Sequence, residues 1–213
     1  ATENIVMAAA LAQGTTHLMN AACEPHVQGI CRMLMSMGAE VSGIGTNRIK
    51  ITGANKLHGT THTIGSDYLE IGSFIGLAAV TNSDITITDV RPEELRMILH
   101  VFRKLGINPE INGSNLRVAP GQSMKIQRDI HGGIPRIDDA PWPAFPTDLM
   151  SIAITVATQC EGTVLFFEKM FEGRMFFTDS LISMGASIIL CDPHRIVVVG
   201  PGQFYGTRLE SPD

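Results

Sequence analysis

The chain has 213 residues, of which 44% are hydrophobic and 17% are charged, and its formal net charge is −5. A chain of this length can bury a substantial core, and its composition lies far from the polar, highly charged range of disordered proteins. The negative charge argues against a general binder of nucleic acids or anionic membranes, and the longest apolar run, eight residues from Ile5 to Ala12, is far shorter than the roughly 20 that a transmembrane helix needs.

Three segments of the chain share one order of predicted elements: a helix, a turn of small residues, a strand, a second helix that ends at glycine, and two short strands. The turn residue and the final glycine of each segment are Gly14 and Gly38, Ser83 and Gly106, and Gly162 and Gly185. The two residues are 24, 23 and 23 positions apart, and glycine suits the left-handed backbone that commonly ends a helix. A strand carried over from the preceding segment would make each unit βαβαββ, with helices on one face of a mixed sheet.

Two stretches are predicted to separate these units. Residues 121–143 contain Gly132-Gly133 and three prolines, which is typical of a connector. Residues 60–67 end in Gly65-Ser66-Asp67, where Asp67 is suited to cap the next helix.

The first segment contains two patterns that resemble known sites. Gly43 to Arg48 lacks the third glycine of a dinucleotide-binding motif and leads into a strand, so it predicts a hairpin. His58 and His62 are four residues apart, but the intervening Gly59-Thr60-Thr61 favours a turn or a strand over a helical metal pair. The four cysteines show no C-x-x-C spacing. We therefore expect no metal and no cofactor, and reduced thiols as in a cytoplasmic protein.

Residues 140–148, with the sequence APWPAFPTD, contain three prolines and the only tryptophan of the chain. One interpretation is a rigid turn in which Thr147 or Asp148 caps a helix that begins at Leu149. The other is that the proline-rich backbone holds the Asp148 carboxylate at a cleft, where it acts as a general base.

Residues 167–174, with the sequence FEKMFEGR, alternate charged and bulky side chains between a predicted strand and a predicted helix. One interpretation is a solvent-exposed connection in which Arg174 begins the helix. The other is that the planar Arg174 guanidinium binds a carboxylate, a phosphate or a sugar oxygen.

Several motifs together resemble the UDP-N-acetylglucosamine enolpyruvyl transferases, also called 1-carboxyvinyltransferases. These motifs are Gly14-Thr15-Thr16, the NAACEP sequence at residues 20–25, Met37-Gly38-Ala39, the FPTD sequence at residues 145–148, the FEGR sequence at residues 171–174, and Met184-Gly185-Ala186. The resemblance runs in order over essentially the whole chain. It implies a fold of two lobes, each an inside-out α/β barrel of three βαβαββ units, with the substrates in the cleft between the lobes.

The resemblance also implies an activity. Such enzymes transfer the enolpyruvyl group of phosphoenolpyruvate to the 3-hydroxyl of UDP-N-acetylglucosamine and release phosphate. This reaction is the first committed step of peptidoglycan synthesis, and it connects the chain to cell-wall biogenesis, cell shape and cell division. Two alternatives stay open: an enolpyruvyl transferase of the shikimate pathway, and a non-catalytic repeat module that only binds a ligand.

The same resemblance assigns roles to residues. Asp148 is the candidate catalytic base and contacts the sugar hydroxyl, Met170 contacts the UDP-sugar through its backbone, and Arg174 lies near the same cleft. Weaker candidates, at the hinge or the cleft, are Glu24, Asp67, Glu70 and Asp213.

The match implies that the chain is a piece of such an enzyme. Residues 1–65 correspond to the last unit of one lobe and residues 66–213 to two units of the other. The N-terminal Lys-Asn pair of these enzymes, their mobile loop with a reactive Cys or Asp, and their phosphate-binding arginines have no counterpart in the sequence. We therefore expect these 213 residues to be inactive alone and to need the missing lobe segments as partners.

Overall fold

The structure, a computed structural model, describes residues 1–208. The chain divides into two compact units, Ala1–Ser66 and Asp67–Asp213. Asp213, one of the weaker site candidates, lies outside the described residues. Within residues 1–208, no helix has the length and apolar character needed to cross a bilayer.

The first unit contains two helices and one three-stranded sheet. Its elements are α1 (Thr2–Ala9), β1 (Thr15–Met19), α2 (Pro25–Ser36), β2 (Glu40–Ser42) and β3 (Arg48–Thr52). The strand order is β1-β3-β2, and both neighbouring pairs are antiparallel. The predicted hairpin at residues 43–48 is confirmed, because it joins β2 to β3.

Local sequence explains where α2 begins and ends. Pro25 is the first residue of the helix, a position at which the missing N–H costs nothing and the fixed φ is already helical. Gly38 follows the helix at a φ of +104°, which an L side chain rarely adopts. The unit packs around a core that includes Val6, Cys31 and Ile51.

The described part of the second unit, residues 67–208, contains four α-helices and two sheets. Its elements are α3 (Tyr68–Val80), β4 (Ile85–Ile87), α4 (Arg96–Lys104), β5 (Glu110–Asn112), β6 (Asn115–Val118), β7 (Arg136–Asp138), α5 (Met150–Ala157), β8 (Gly162–Phe167), α6 (Thr178–Ser183), β9 (Ser187–Asp192) and β10 (Arg195–Gly200). The sheets have the orders β4-β6-β5 and β7-β8-β10-β9. One core connects helices and strands of this unit through side chains such as Ile75, Phe102, Leu116, Ile154 and Phe166.

The predicted repetition of an α/β unit is confirmed. In each of the three segments, the first strand after the first helix pairs antiparallel with the last strand, which also pairs with the strand between them. The additional leading strand is present in the third segment, where β7 pairs parallel to β8 and α5 lies between them in the chain. Residues 53–67, which precede α3, form no strand. They have no alternating apolar face to bury, and Ile64 is exposed.

Helix α3 supports the segment that carries Asp148. A Cβ added to Gly72 would lie 2.6 Å from Leu149 Cδ1, and a Cβ added to Gly76 would lie 2.9 Å from Val156 Cγ2. Only glycine permits this close approach of α3 to Leu149 and to α5. Tyr68 packs against Trp142, with the ring centroids 5.2 Å apart. The turn before α5 is therefore held against the core of the second unit.

Candidate functional site

Asp148 lies on a short 3-10 turn, Thr147–Leu149, directly before α5. Its side chain is exposed, whereas Phe145 and Leu149 on either side of it are buried. The predicted helix cap is wrong: Pro146 occupies the cap position of the turn, and no side chain caps either the turn or α5. The reason is that the Thr147 hydroxyl donates to Asp139 and the Asp148 carboxylate accepts from Arg174.

Arg174 and Asp148, the two strongest candidates from the sequence motifs, lie in contact. Arg174 Nη1 donates to Asp148 Oδ1 over 2.8 Å, and the guanidinium lies over the Phe171 ring, 4.9 Å from its centroid. Both charged side chains remain accessible, with 42% of the arginine and 60% of the aspartate exposed. The prediction that Arg174 begins a helix is wrong, because residues 172–177 form turns and α6 begins at Thr178.

Met170 belongs to the same surface segment as Arg174. Its amide N–H donates to Glu168 Oε1 over 2.9 Å. A backbone contact from Met170 to a ligand would therefore have to use its carbonyl oxygen, since the N–H is already engaged.

Beneath this surface lie two carboxyl groups that sequence reasoning missed, Asp139 and Glu168. They directly follow the parallel strands β7 and β8, whose register pairs Asp138 with Phe167. Asp139 and Glu168, the residues that follow this last pair, therefore lie side by side. Both carboxyl groups belong to fully buried residues, so the interpretation of residues 167–174 as a solvent-exposed connection is wrong at Glu168.

The two carboxyls accept hydrogen bonds from the segments that carry the site. Asp139 accepts from the amide of Lys169 at 2.6 Å and from the hydroxyl of Thr147. Glu168 Oε1 accepts from the amides of Met170 and Phe171 at 2.9 and 3.1 Å. The pKa of Glu168 is raised from 4.5 to about 7. Burial is the largest cause, and the hydrogen-bonded Asp139 carboxyl is the next largest.

No direct signal for this pair is present in the sequence. A charged residue between bulky ones is usually solvated, and the burial of Glu168 depends on the pairing of β8 with β7. The available clue was positional, because polar residues at the carboxyl ends of neighbouring parallel strands lie close together.

The weaker candidates lie elsewhere. Asp67 caps α3, and its Oδ1 accepts from the amides of Leu69 and Glu70 at 2.8 and 3.3 Å, as the sequence predicted for a cap. Glu70 is exposed in the first turn of that helix. Glu24 belongs to the first unit and directly precedes α2, with Oε2 buried and without a partner among the described residues. Residues 1–208 contain no cluster of three or more His, Cys, Asp or Glu side chains that could hold a metal ion.

A family model described as EPSP synthase (3-phosphoshikimate 1-carboxyvinyltransferase) matches residues 1–213. The chain belongs to this family of enolpyruvyl transferases. Curated relatives include the UDP-N-acetylglucosamine 1-carboxyvinyltransferases of Treponema denticola, 58% identical, and Borrelia garinii subsp. bavariensis, 57% identical. Both matches cover all 213 residues of the chain and 50% of the relative, so the chain spans about half the length of these relatives.

The fold is shared with solved members of the family. The crystal structure of the enolpyruvyl transferase NikO from Streptomyces tendae superposes with a TM-score of 0.76 at 19% sequence identity, over 92% of this chain and 45% of that one. The family resemblance and the α/β fold class expected from the sequence are both confirmed.

Proposed function

We propose that this chain forms part of an enzyme that transfers enolpyruvyl from phosphoenolpyruvate to the 3-hydroxyl of UDP-N-acetylglucosamine, with release of phosphate. The observation that carries the proposal is the contact between Asp148 and Arg174, which joins an exposed carboxylate on a rigid turn to an exposed guanidinium. The printed names of the relatives at 57–58% identity favour this acceptor over a shikimate derivative.

The geometry suits Asp148 to the role of a base. Arg174 engages Oδ1, which leaves Oδ2 free to approach the acceptor hydroxyl and take its proton as the oxygen attacks. The other N–H groups of Arg174 can donate to oxygens of the sugar or the phosphate. The carbonyl of Met170 offers an acceptor to a substrate hydroxyl or amide in the same segment.

The anionic co-substrate needs cations that these residues do not supply. Asp148 would repel phosphoenolpyruvate unless positive groups compensate for its charge. Among the described residues, the only cation in contact with Asp148 is Arg174. We infer that further binding groups come from other segments. In this proposal, residues 1–65 are the last unit of one lobe and residues 66–213 are two units of the other. This assignment is supported by the division of the chain between Ser66 and Asp67 and by the half-length match to the relatives.

This assignment sets the biological context that we propose. The reaction would supply the first committed intermediate of peptidoglycan, and so contribute to cell-wall biogenesis, cell shape and cell division. Its two water-soluble substrates suit an enzyme of the cytoplasm.

The test replaces Asp148 with Asn in the natural polypeptide that contains these residues. The substitution keeps the size of the side chain and removes the proton acceptor, so kcat for phosphate release should fall about 100- to 10,000-fold. Asp179→Asn, at another exposed aspartate in the second unit, is the matched control and should leave turnover unchanged. Near-normal turnover of Asp148→Asn would contradict the role of the base.

Two further arms separate the alternatives. Shikimate 3-phosphate offered in place of the UDP-sugar should give no phosphate release, whereas preferential use of it would identify the other acceptor. Purified protein of these 213 residues alone should release no phosphate above the Asp148→Asn background. Turnover by that protein would show that the groups which bind phosphoenolpyruvate lie within it.

A further inference from the structure

We propose that Asp139 and Glu168 act as a pair of positioning residues, which hold the Asp148 turn and the segment from Met170 to Arg174 in one fixed arrangement. The effect on catalysis rests on the function proposed above. The arrangement of the two carboxyls does not depend on that function.

Hydrogen bonds connect the pair to both parts of the site. Asp139 accepts from the hydroxyl of Thr147, the residue before Asp148. Glu168 accepts from the amides of Met170 and Phe171, and Asp139 accepts from the amide of Lys169. Three consecutive amides and one hydroxyl thus converge on two neighbouring carboxyls. Loss of either acceptor would leave partly buried donors without these partners, at the point where the two functional segments meet.

The charge balance requires one proton between the two carboxyls. Two basic side chains on the adjoining segments engage another residue, since Lys169 Nζ and Arg136 Nη2 both contact Asp138. Two fully buried carboxylates without a cation would repel each other strongly. A shared proton removes one charge and supplies the hydrogen bond between them.

The hydrogen bonds indicate which residue carries that proton. Both oxygens of Asp139 accept from other donors, as expected of an ionised carboxylate. Glu168 Oε1 also accepts twice, but Glu168 Oε2 is buried without a donor among the described residues. Protonated Oε2 donates to Asp139, in agreement with the raised pKa of Glu168. The arrangement should therefore loosen as the pH rises above about 7.

Other charged groups surround the pair and must be separated from it in a pH experiment. His194, in the turn between β9 and β10, contacts the carbonyl oxygen of Glu168 through Nδ1 at 2.9 Å, and an imidazole also titrates near neutral pH. Other charged groups on the adjoining segments include Arg136, Asp138, Asp148, Lys169, Glu172, Arg174, Asp192 and Arg195. A His194→Asn variant removes the imidazole and serves as a control background.

The decisive variants change the side-chain carboxyl of Glu168. In Glu168→Gln, the amide oxygen can accept from Met170 and Phe171 and the amide nitrogen can donate to Asp139, so this variant mimics the protonated acid at every pH. Glu168→Leu has a similar volume but neither accepts nor donates. In the natural polypeptide, we expect the KM for UDP-N-acetylglucosamine to rise above about pH 7 in the parent and in His194→Asn, and to stay level in Glu168→Gln. Glu168→Leu should lose at least about tenfold in kcat/KM.

A second readout does not require turnover. Infrared difference spectra recorded across pH 5 to 8 should show the carbonyl band of a protonated, buried carboxyl in the parent, and this band should be absent from Glu168→Gln. If the band is absent from the parent, or if Glu168→Gln keeps the pH dependence of KM, the proposal is overturned. If neither the parent nor any variant turns over the UDP-sugar, the proposed function is wrong. The infrared result still tests whether the two carboxyls share a proton. If Glu168→Leu does not fold, the comparison of Glu with Gln remains decisive.

Discussion

Glu168→Gln should also change how the stability of the second unit depends on pH. The folded chain holds the Glu168 proton up to about pH 7, whereas the unfolded chain releases it near the ordinary pKa of 4.5. A folded pKa above the unfolded one stabilises the folded state fully at low pH. That contribution is lost as the pH rises from about 4.5 through about 7. Each pKa unit is worth about 1.4 kcal/mol, so the whole loss amounts to at most about 3 to 4 kcal/mol.

The glutamine variant has no proton to release and should lack this loss. Its free energy of unfolding relative to the parent should therefore rise by up to about 3 kcal/mol between about pH 5 and about pH 8. Urea titrations at several pH values would measure the difference, because Trp142 is the only tryptophan and packs in the second unit against Tyr68. Glu172→Gln, at an exposed glutamate four residues away, is the matched control. Parallel stability curves for the parent and Glu168→Gln would refute the reasoning.

Two further predictions concern backbone and thiols. Gly106→Ala should lower the free energy of unfolding by more than about 2 kcal/mol, because its φ is +80° and the new Cβ would lie 2.5 Å from the backbone N and O of Lys125. Gly121→Ala, with a φ of +77° and no atom within 4 Å, should cost only about 1 kcal/mol, and equal losses in urea titrations would contradict this account. In the native protein at about pH 8, iodoacetamide should label the exposed Cys191 at least about 100-fold faster than Cys160. The reason is that Cys160 is buried, and burial raises the pKa of its thiol to about 12. Mass spectrometry of the labelled peptides measures both rates. Fast labelling of Cys160 would contradict its burial.

The repeated fold could be predicted because it depends on local rules. The nearly equal spacing between a turn and a glycine indicated a repeated order of elements, and each of the three final glycines has a positive φ. Equal helix lengths, which the spacing also predicted, are not found: α2, α4 and α6 have 12, 9 and 6 residues. The leading strand before α3 was expected from the repeat but does not form, since residues 53–67 offer no apolar face. The start of α6 was also predicted too early, because the turns at residues 172–177 bring Arg174 to Asp148.

The surface part of the candidate site was accessible from motifs, but its buried support was not. Asp148 and Arg174 belong to recognisable short sequences, and local chemistry gave each two interpretations. Thr147 was a reasonable helix cap by local rules, yet its hydroxyl bonds to Asp139, eight positions earlier. Asp139 in turn accepts from the amide of Lys169, thirty positions later. Contacts of this kind depend on strand pairing, which composition and periodicity do not specify.

Helices α3 and α5 are the first helices of successive repeats, but their first turns are stabilised in different ways. Before α3, the carboxylate of Asp67 binds two amides of its own helix and thereby fixes the helix start. Before α5, Phe145 and Leu149 are anchored in the core and Thr147 is tied to Asp139, so the turn is held without a side-chain cap. The aspartate of the later repeat is consequently released from maintaining its own helix. The two repeats therefore begin similar helices by different means, and the external anchoring of the later turn leaves the Asp148 carboxylate exposed.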